Sequence, residues 1–294
     1  SGSSERSNGS KYAIIVLTIM LLGVSSIHPQ WQQTNLNGAI NGLFVDGTNI
    51  FAATNAGVLR SNDNGTNWTG ENTGLTTLTA RGFTKLGSDI FVVTLSGGIY
   101  RSANGPSWNW SLMQAGSFNC IHTAGSTLLA GSAGGGVYIS NNNGTTWAVS
   151  NSGLTNLTVR AIHHSGTAIY AGTLGGVFKS TDNGATWAAS NTGITSLDIR
   201  GIFSNGGVLF AGSISGGVYR STDAGANWTW VAGGSIDAFE LACNSDLYAA
   251  STNMGGVAKS TDNGLTWMGD YSGLTNPSVM CLAVNSSYLF AGTF

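Results

Sequence analysis

From Trp31 onward the chain repeats one succession of apolar and polar positions about every forty residues. The stretch VRAIH (159–163) is followed by a small turn and then by IYAGT (169–173), which ends in small residues. A Gly-Gly-Val turn leads into GVFKS (176–180), and a polar stretch, AASNTGIT (188–195), closes the unit. Short apolar runs bounded by Gly, Asn, Ser and Thr predict strands, four to each unit. No apolar stripe at a spacing of 3.6 residues is present, which excludes a helical solenoid of the same period.

The strongest element of the repeat is an eight-residue pattern. It reads SNDNGTNW (61–68), SNNNGTTW (140–147), STDNGATW (180–187), STDAGANW (221–228) and STDNGLTW (260–267), with a shortened copy, SANGPSW, at 102–108. The closing tryptophans, Trp68, Trp108, Trp147, Trp187, Trp228 and Trp267, are separated by 40, 39, 40, 41 and 39 residues. A hairpin explains the composition. Asp63, Asp182, Asp223 and Asp262 can accept bonds from turn amides. Gly65, Gly184, Gly225 and Gly264 can take positive φ, and each tryptophan can fold an apolar face onto the hairpin. Ser61 and its counterparts open the turn. Because these residues recur on every unit, they are assigned to structure and not to catalysis.

The pattern S-x-D-x-G-x-x-W resembles the Asp-box, over roughly Trp31 to Phe294. Asp-boxes occur in sialidases, xyloglucan-cleaving glycosidases, sortilin-type receptors and photosystem II assembly factors, all of them β-propellers. The resemblance and the four strands per unit imply the same all-β fold: a single propeller of about seven four-stranded blades over 31–294. Trp31 aligns with the box tryptophans, so an N-terminal outer strand should close the ring. The sequence stops at Ala291-Gly292-Thr293-Phe294, before a further Gly-Gly-Val strand, so the last blade is expected to be one strand short. Counting ten residues back from Tyr170 gives Arg160, and matching counts give Asn41, Arg81, Asn119, Arg200 and Met280. A turn read as two residues shorter gives Glu240 in the sixth unit. These positions should mark the start of each innermost strand.

Residues 1–30 differ from the rest: a polar tail, then Lys11 and an uncharged apolar run from Tyr12 to Ile27. Sixteen residues fall short of the roughly 20 that span a bilayer. The run suits a signal peptide cleaved after Ser26, and so an exported protein, in the periplasm, at the cell surface or outside the cell, with no membrane insertion afterwards; the alternative is an uncleaved membrane anchor. Cys120, Cys243 and Cys281 form no CxxC and are read as small buried residues, with a disulfide between Cys243 and Cys281, which fall in successive repeats, as the alternative.

Charged residues make up 8% of the chain and its net charge is −2, which excludes the broad basic footprint of a nucleic-acid binder. No nucleotide loop or nucleophile elbow is present, and no cofactor is expected. His122 and His163 share a register position but have no partner at metal-ligand spacing, so no metal is expected either. Propeller closure should gather Arg81, Arg160 and Arg200 around one channel mouth, with Asp198 and Glu240 beside them. That cluster is the candidate ligand site. It predicts a monomeric binding module for a protein, peptide or glycan partner of acidic character. The alternative is a glycoside hydrolase of sialidase or xyloglucanase type, drawing carboxylates from Asp198, Asp237 and Glu240. Uniformly short loops leave little material for such a cleft.

Overall fold

The computed structural model describes residues 14–18 and 31–294, apart from positions 35, 37, 104, 106, 235, 242–245, 252–255, 271 and 286–287. The proposed cleavage site after Ser26 and Cys243 lie outside the described residues. Every regular element among them is a strand, β1 to β28 in chain order. No helix there is long and apolar enough to cross a membrane.

The strands form seven antiparallel four-stranded sheets. Blades built from one continuous stretch of chain number six, not seven, and cover residues 40–70, 80–115, 118–149, 159–189, 199–232 and 236–269. The first runs from β3 (Ile40–Asp46) through β4 (Asn49–Thr54) and β5 (Gly57–Ser61) to β6 (Thr69–Gly70). The seventh sheet is composite. β27 (Val279–Val284) and β28 (Tyr288–Thr293) come from the end of the sequence. β1 (Ile14–Thr18) and β2 (Trp31–Gln33) come from its beginning, in the order β2-β1-β28-β27. The expectation of a sheet one strand short is therefore corrected, because β1 fills the third place. β1 lies within the apolar run read above as a signal peptide.

The first strands of the sheets are β3, β7 (Ala80–Leu86), β11 (Phe118–Ala124), β15 (Val159–Ser165), β19 (Ile199–Asn205), β23 (Ile236–Leu241) and β27. Each contacts the next, and β27 returns to β3, so these strands surround the axis. The second strands are the most buried; Ala168–Thr173 and Val208–Ser213 are buried at every position. Their small residues have a specific reason. A Cβ added at Gly131 would come within 2.6 Å of Val159, one at Gly172 within 2.8 Å of Ile199, and one at Gly292 within 2.6 Å of Ile40. In each case a β-branched side chain of the following blade is an obstacle, joined at Gly131 and Gly292 by the sulfur of Cys120 at 2.6 Å and of Cys281 at 2.5 Å. The glycine makes room for it, and Gly292 against Ile40 does so across the ring closure.

Candidate functional site

The eight-residue turns sit on the outer hairpins. In the first, Ser61 Oγ donates to Asp63 Oδ1 at 2.7 Å and accepts from Gly65 N at 2.9 Å. Asp63 Oδ1 accepts from Asn67 N at 2.9 Å, and Oδ2 from Asn67 Nδ2 at 2.7 Å. Asp182, Asp223 and Asp262 repeat the scheme with Thr186, Asn227 and Thr266. These bonds from the residue four further on are the main reason all four carboxyls are held down at about 2. Asn142, in the aspartate's place, still accepts from Thr146 N at 3.0 Å. The fourth position also has positive φ in five turns, at Asn64, Asn143, Asn183, Ala224 and Asn263. Asparagine tolerates that region better than most residues, so its recurrence was a signal that reading glycine alone missed.

The tryptophans fall into two sets. Trp68 and Trp147 donate Nε1–H to the glycine carbonyl of their own turn, at 2.9 and 3.0 Å. Trp187 and Trp228 reach back to the preceding blade, to the carbonyls of Ser150 at 3.0 Å and Ser190 at 2.8 Å. Trp31 makes the same bond to Asp270 at 2.9 Å. In the second blade the residue that does so is Trp110, to Glu71 at 2.8 Å, and not Trp108, the tryptophan aligned from sequence. Trp108 instead packs edge-on against Phe51 with ring centroids 4.9 Å apart. The shortened sequence between Ser102 and Trp108 goes with a register shift of two residues.

All seven innermost strands carry a register shift near their start. It falls at Asn41, Arg81, Asn119, Arg160, Arg200 and Met280 in six of them, and at Asp237 in the sixth blade. Glu240 is thus displaced from its expected place. It pairs with Tyr248 as His163 pairs with Tyr170, three positions further along. The hairpin there runs from Leu241 to Leu247, one residue longer than the equivalent His164 to Ile169, whereas a shorter turn was expected. The side chains of Asp237 and Glu240 lie outside the described residues.

At a bulge the extra residue is freed from the ladder, and here its side chain reaches a neighbouring blade. Asn41 Nδ2 donates to Ala80 O, and Asn119 Nδ2 to Val159 O, both at 2.9 Å. Arg160 Nε lies 3.3 Å from Asp198 Oδ1, and Arg200 Nη2 lies 3.6 Å from Asp198 Oδ2, so one carboxylate bridges two guanidiniums. Arg81 Nη1 donates to Asn41 Oδ1 at 3.3 Å. It has no carboxylate partner among the described residues. Burial, and after it the charge of Arg160, lowers the pKa of Arg81. Three guanidiniums against one described carboxylate leave positive charge in excess, with the Arg160 and Arg200 side chains 33 and 24% exposed. Leu78, Leu157 and Leu197 each precede one of these arginines by three residues and are 44, 40 and 43% exposed. Each of the three arginines is thus preceded by an exposed leucine. The sequence reading missed these leucines, although they repeat at one register position.

The rings of His122 and His163, on neighbouring blades, are tilted at 48° with centroids 5.6 Å apart, and His163 Nε2 shares a hydrogen bond of 2.8 Å with Ser204 Oγ. Burial, above all, pushes them down to about 4 and about 3. Among the described residues no group of three His, Cys, Asp or Glu side chains could hold a metal ion. Cys120 and Cys281 are free thiols, both pushed up to about 12 by burial.

No protein-family model matches the sequence, and no curated protein does. Solved structures do resemble it. The extracellular domain of BT4673 from B. thetaiotaomicron matches with a TM-score of 0.72 and 15% identity, over 87% of this chain and 37% of that one. That of BT3049 from the same organism matches at 0.72 and 16%, over 95% and 42%. This chain thus spans about two-fifths of the length of those proteins. YCF48 bound to a D1 peptide matches at 0.67 and 16%, over 87% and 94%, and an ancestral GH74 enzyme at 0.62 and 20%, over 79% and 38%. At these identities the likeness establishes the fold: the chain is a single all-β propeller.

Proposed function

We propose that the chain is an exported binding module that holds an acidic protein, peptide or glycan at the propeller end where the innermost strands begin. Arg81 carries this reading. It is a partly buried guanidinium without a carboxylate partner among the described residues, and burial and then the charge of Arg160 lower its pKa. An anion bound there would gain a charge-assisted hydrogen bond and relieve the repulsion from Arg160. Leu78, Leu157 and Leu197 add apolar surface around it. The apolar run from Tyr12 to Ile27 supports export, as does similarity to domains described as extracellular. The complex of YCF48 with a peptide supports a peptide among the partner classes. Asp198, one of the carboxylates a glycosidase would draw on, is ion-paired with both Arg160 and Arg200.

The test is a binding screen of acidic peptides and sulfated or uronic-acid glycans against the parent chain, Arg81→Ala and Leu157→Ser. A ligand of the mouth should be weakened by both substitutions. Ligands indifferent to both would show that binding lies elsewhere.

A further inference from the structure

Neighbouring blades are tied together beside their outer hairpins by side-chain bridges to the fourth residue of the eight-residue turn. Between the second and third blades that residue is Asn143, whose Nδ2 donates to Asp89 Oδ2 at 2.7 Å. Asp89 also lies 3.9 Å from Arg101 Nε, and Arg101 Nη1 donates to Asn143 O at 3.0 Å. Between the fifth and sixth blades Asn205 Nδ2 donates to Asn263 Oδ1 at 3.1 Å. Between the composite sheet and the first blade Asn285 Nδ2 donates to Asn64 Oδ1 at 3.0 Å.

Between the fourth and fifth blades these participants are truncated. Strand register places Ala168 where Asp89 stands in the second blade and Asp246 in the sixth. Ala224 replaces the turn asparagine, and Ser165 takes the place from which Asn205 and Asn285 reach across. The basic residue is kept. Lys179, in the position of Arg101, donates Nζ to Ala224 O at 2.8 Å and lies 5.8 Å from the centroid of the Tyr170 ring. Its counterpart in the sixth blade, Lys259, is paired with Asp246 at 2.8 Å. Lys179 has no carboxylate partner among the described residues.

Where the bridge is missing there is a groove of about 490 Å³, lined in part by Ser165, Thr167, Ala168, Lys179, Thr181 and Ala224. It lies at the opposite end of β15 from Arg160, away from the channel mouth. Its volume falls within the range of small-ligand sites.

We propose that this groove binds a sugar acid. The carboxylate takes the place that Asp89 and Asp246 fill in the other blades and pairs with Lys179. Apart from that lysine, the polar side chains of the groove are all hydroxyls, those of Ser165, Thr167, Tyr170 and Thr181. Hydroxyls both donate and accept, as do those of a sugar ring, and the groove has room for a ring beside its carboxylate.

The test is titration of glucuronate into the full chain, followed through backbone amide shifts, with glucose and the tripeptide Gly-Glu-Gly as comparisons. Glucuronate should shift the amides of Gly166, Thr167 and Ala224 to saturation, and glucose and the tripeptide should bind more weakly. Lys179→Met should weaken glucuronate roughly tenfold, the loss of one charge-assisted bond. Ala168→Asp combined with Ala224→Asn rebuilds the bridge of the second blade. It should abolish binding without lowering the melting temperature. If that double variant does not fold, Lys179→Met decides. Affinity unchanged in Lys179→Met would overturn the proposal, as would glucose or the tripeptide binding as well as glucuronate. Shifts confined to residues around Arg81 would place the sugar acid at the channel mouth and overturn it too.

Discussion

Ala224 occupies a backbone position that four asparagines fill in the other turns, at φ 54°. A Cβ in the left-handed region costs an L-residue roughly 1–2 kcal/mol. Glycine avoids that strain but adds unfolded-state entropy. Ala224→Gly should therefore stabilise the protein, by about 0.5–1 kcal/mol, seen as a higher denaturant midpoint with an unchanged slope. Only the Ala224 carbonyl is used, by Tyr170 and Lys179, so no contact is lost. The turn aspartates give a pH dependence of definite sign. Their folded pKa of about 2 lies below the ordinary 3.8. Their contribution is thus complete above pH 4 and is lost as pH falls through 2. Replacing all four with asparagine, as Asn142 already does in one turn, should flatten acid denaturation in that window. His122 and His163 act earlier. With folded values of about 4 and about 3 against 6.5, the unfolded chain binds the extra protons, and stability declines from pH 6.5 downward. His163→Phe should remove part of that decline.

At the scale of strands and turns, blade contacts decide what a substitution does. Gly172→Ala places a methyl group 2.8 Å from Ile199 in the next blade. Overpacking of this kind should destabilise by about 1–3 kcal/mol in a urea titration, although alanine is otherwise acceptable in a strand. Trp187→Ala removes a buried ring and the bond to Ser150, and should destabilise by roughly 3 kcal/mol. Much of this scale was legible in the sequence. The forty-residue spacing and the recurring turn residues give four strands per unit. Local spacing could not fix register where the chain departs from its own repeat. Counting to Trp108 misses Trp110, because the sequence between Ser102 and Trp108 is shortened while the next strand kept its place against the preceding blade. Counting to Glu240 misses Asp237, because the hairpin grew while strand pairing held Ile236 opposite Ser251. In both places tertiary pairing, and not residue count, sets the position.

At the scale of the whole molecule, closure turns scattered residues into one surface. Arg81, Arg160 and Arg200 are 79 and 40 residues apart in sequence, yet Asp198 bridges two of them and the third lies within the field of Arg160. The sequence supplied the cluster, since a shared register implies a shared place on each blade. It could not supply the pairing, because which arginine receives a carboxylate depends on how neighbouring bulges project. The composite sheet is likewise a product of closure, joining the two ends of the sequence. The measurement that bears most directly on the proposed binding surface is calorimetric titration of an acidic peptide into the parent chain, Arg81→Ala and Arg60→Ala, at low and physiological salt. Arg60 is the control, an arginine ion-paired with Glu71 at 3.0 Å in another part of the blade. With a Debye length of about 8 Å at physiological ionic strength, binding to the parent should weaken clearly as salt rises. Arg81→Ala should weaken it and flatten that salt dependence, while Arg60→Ala leaves both unchanged. Equal affinities for all three proteins, with no response to salt, would contradict the assignment of the channel mouth as the binding site.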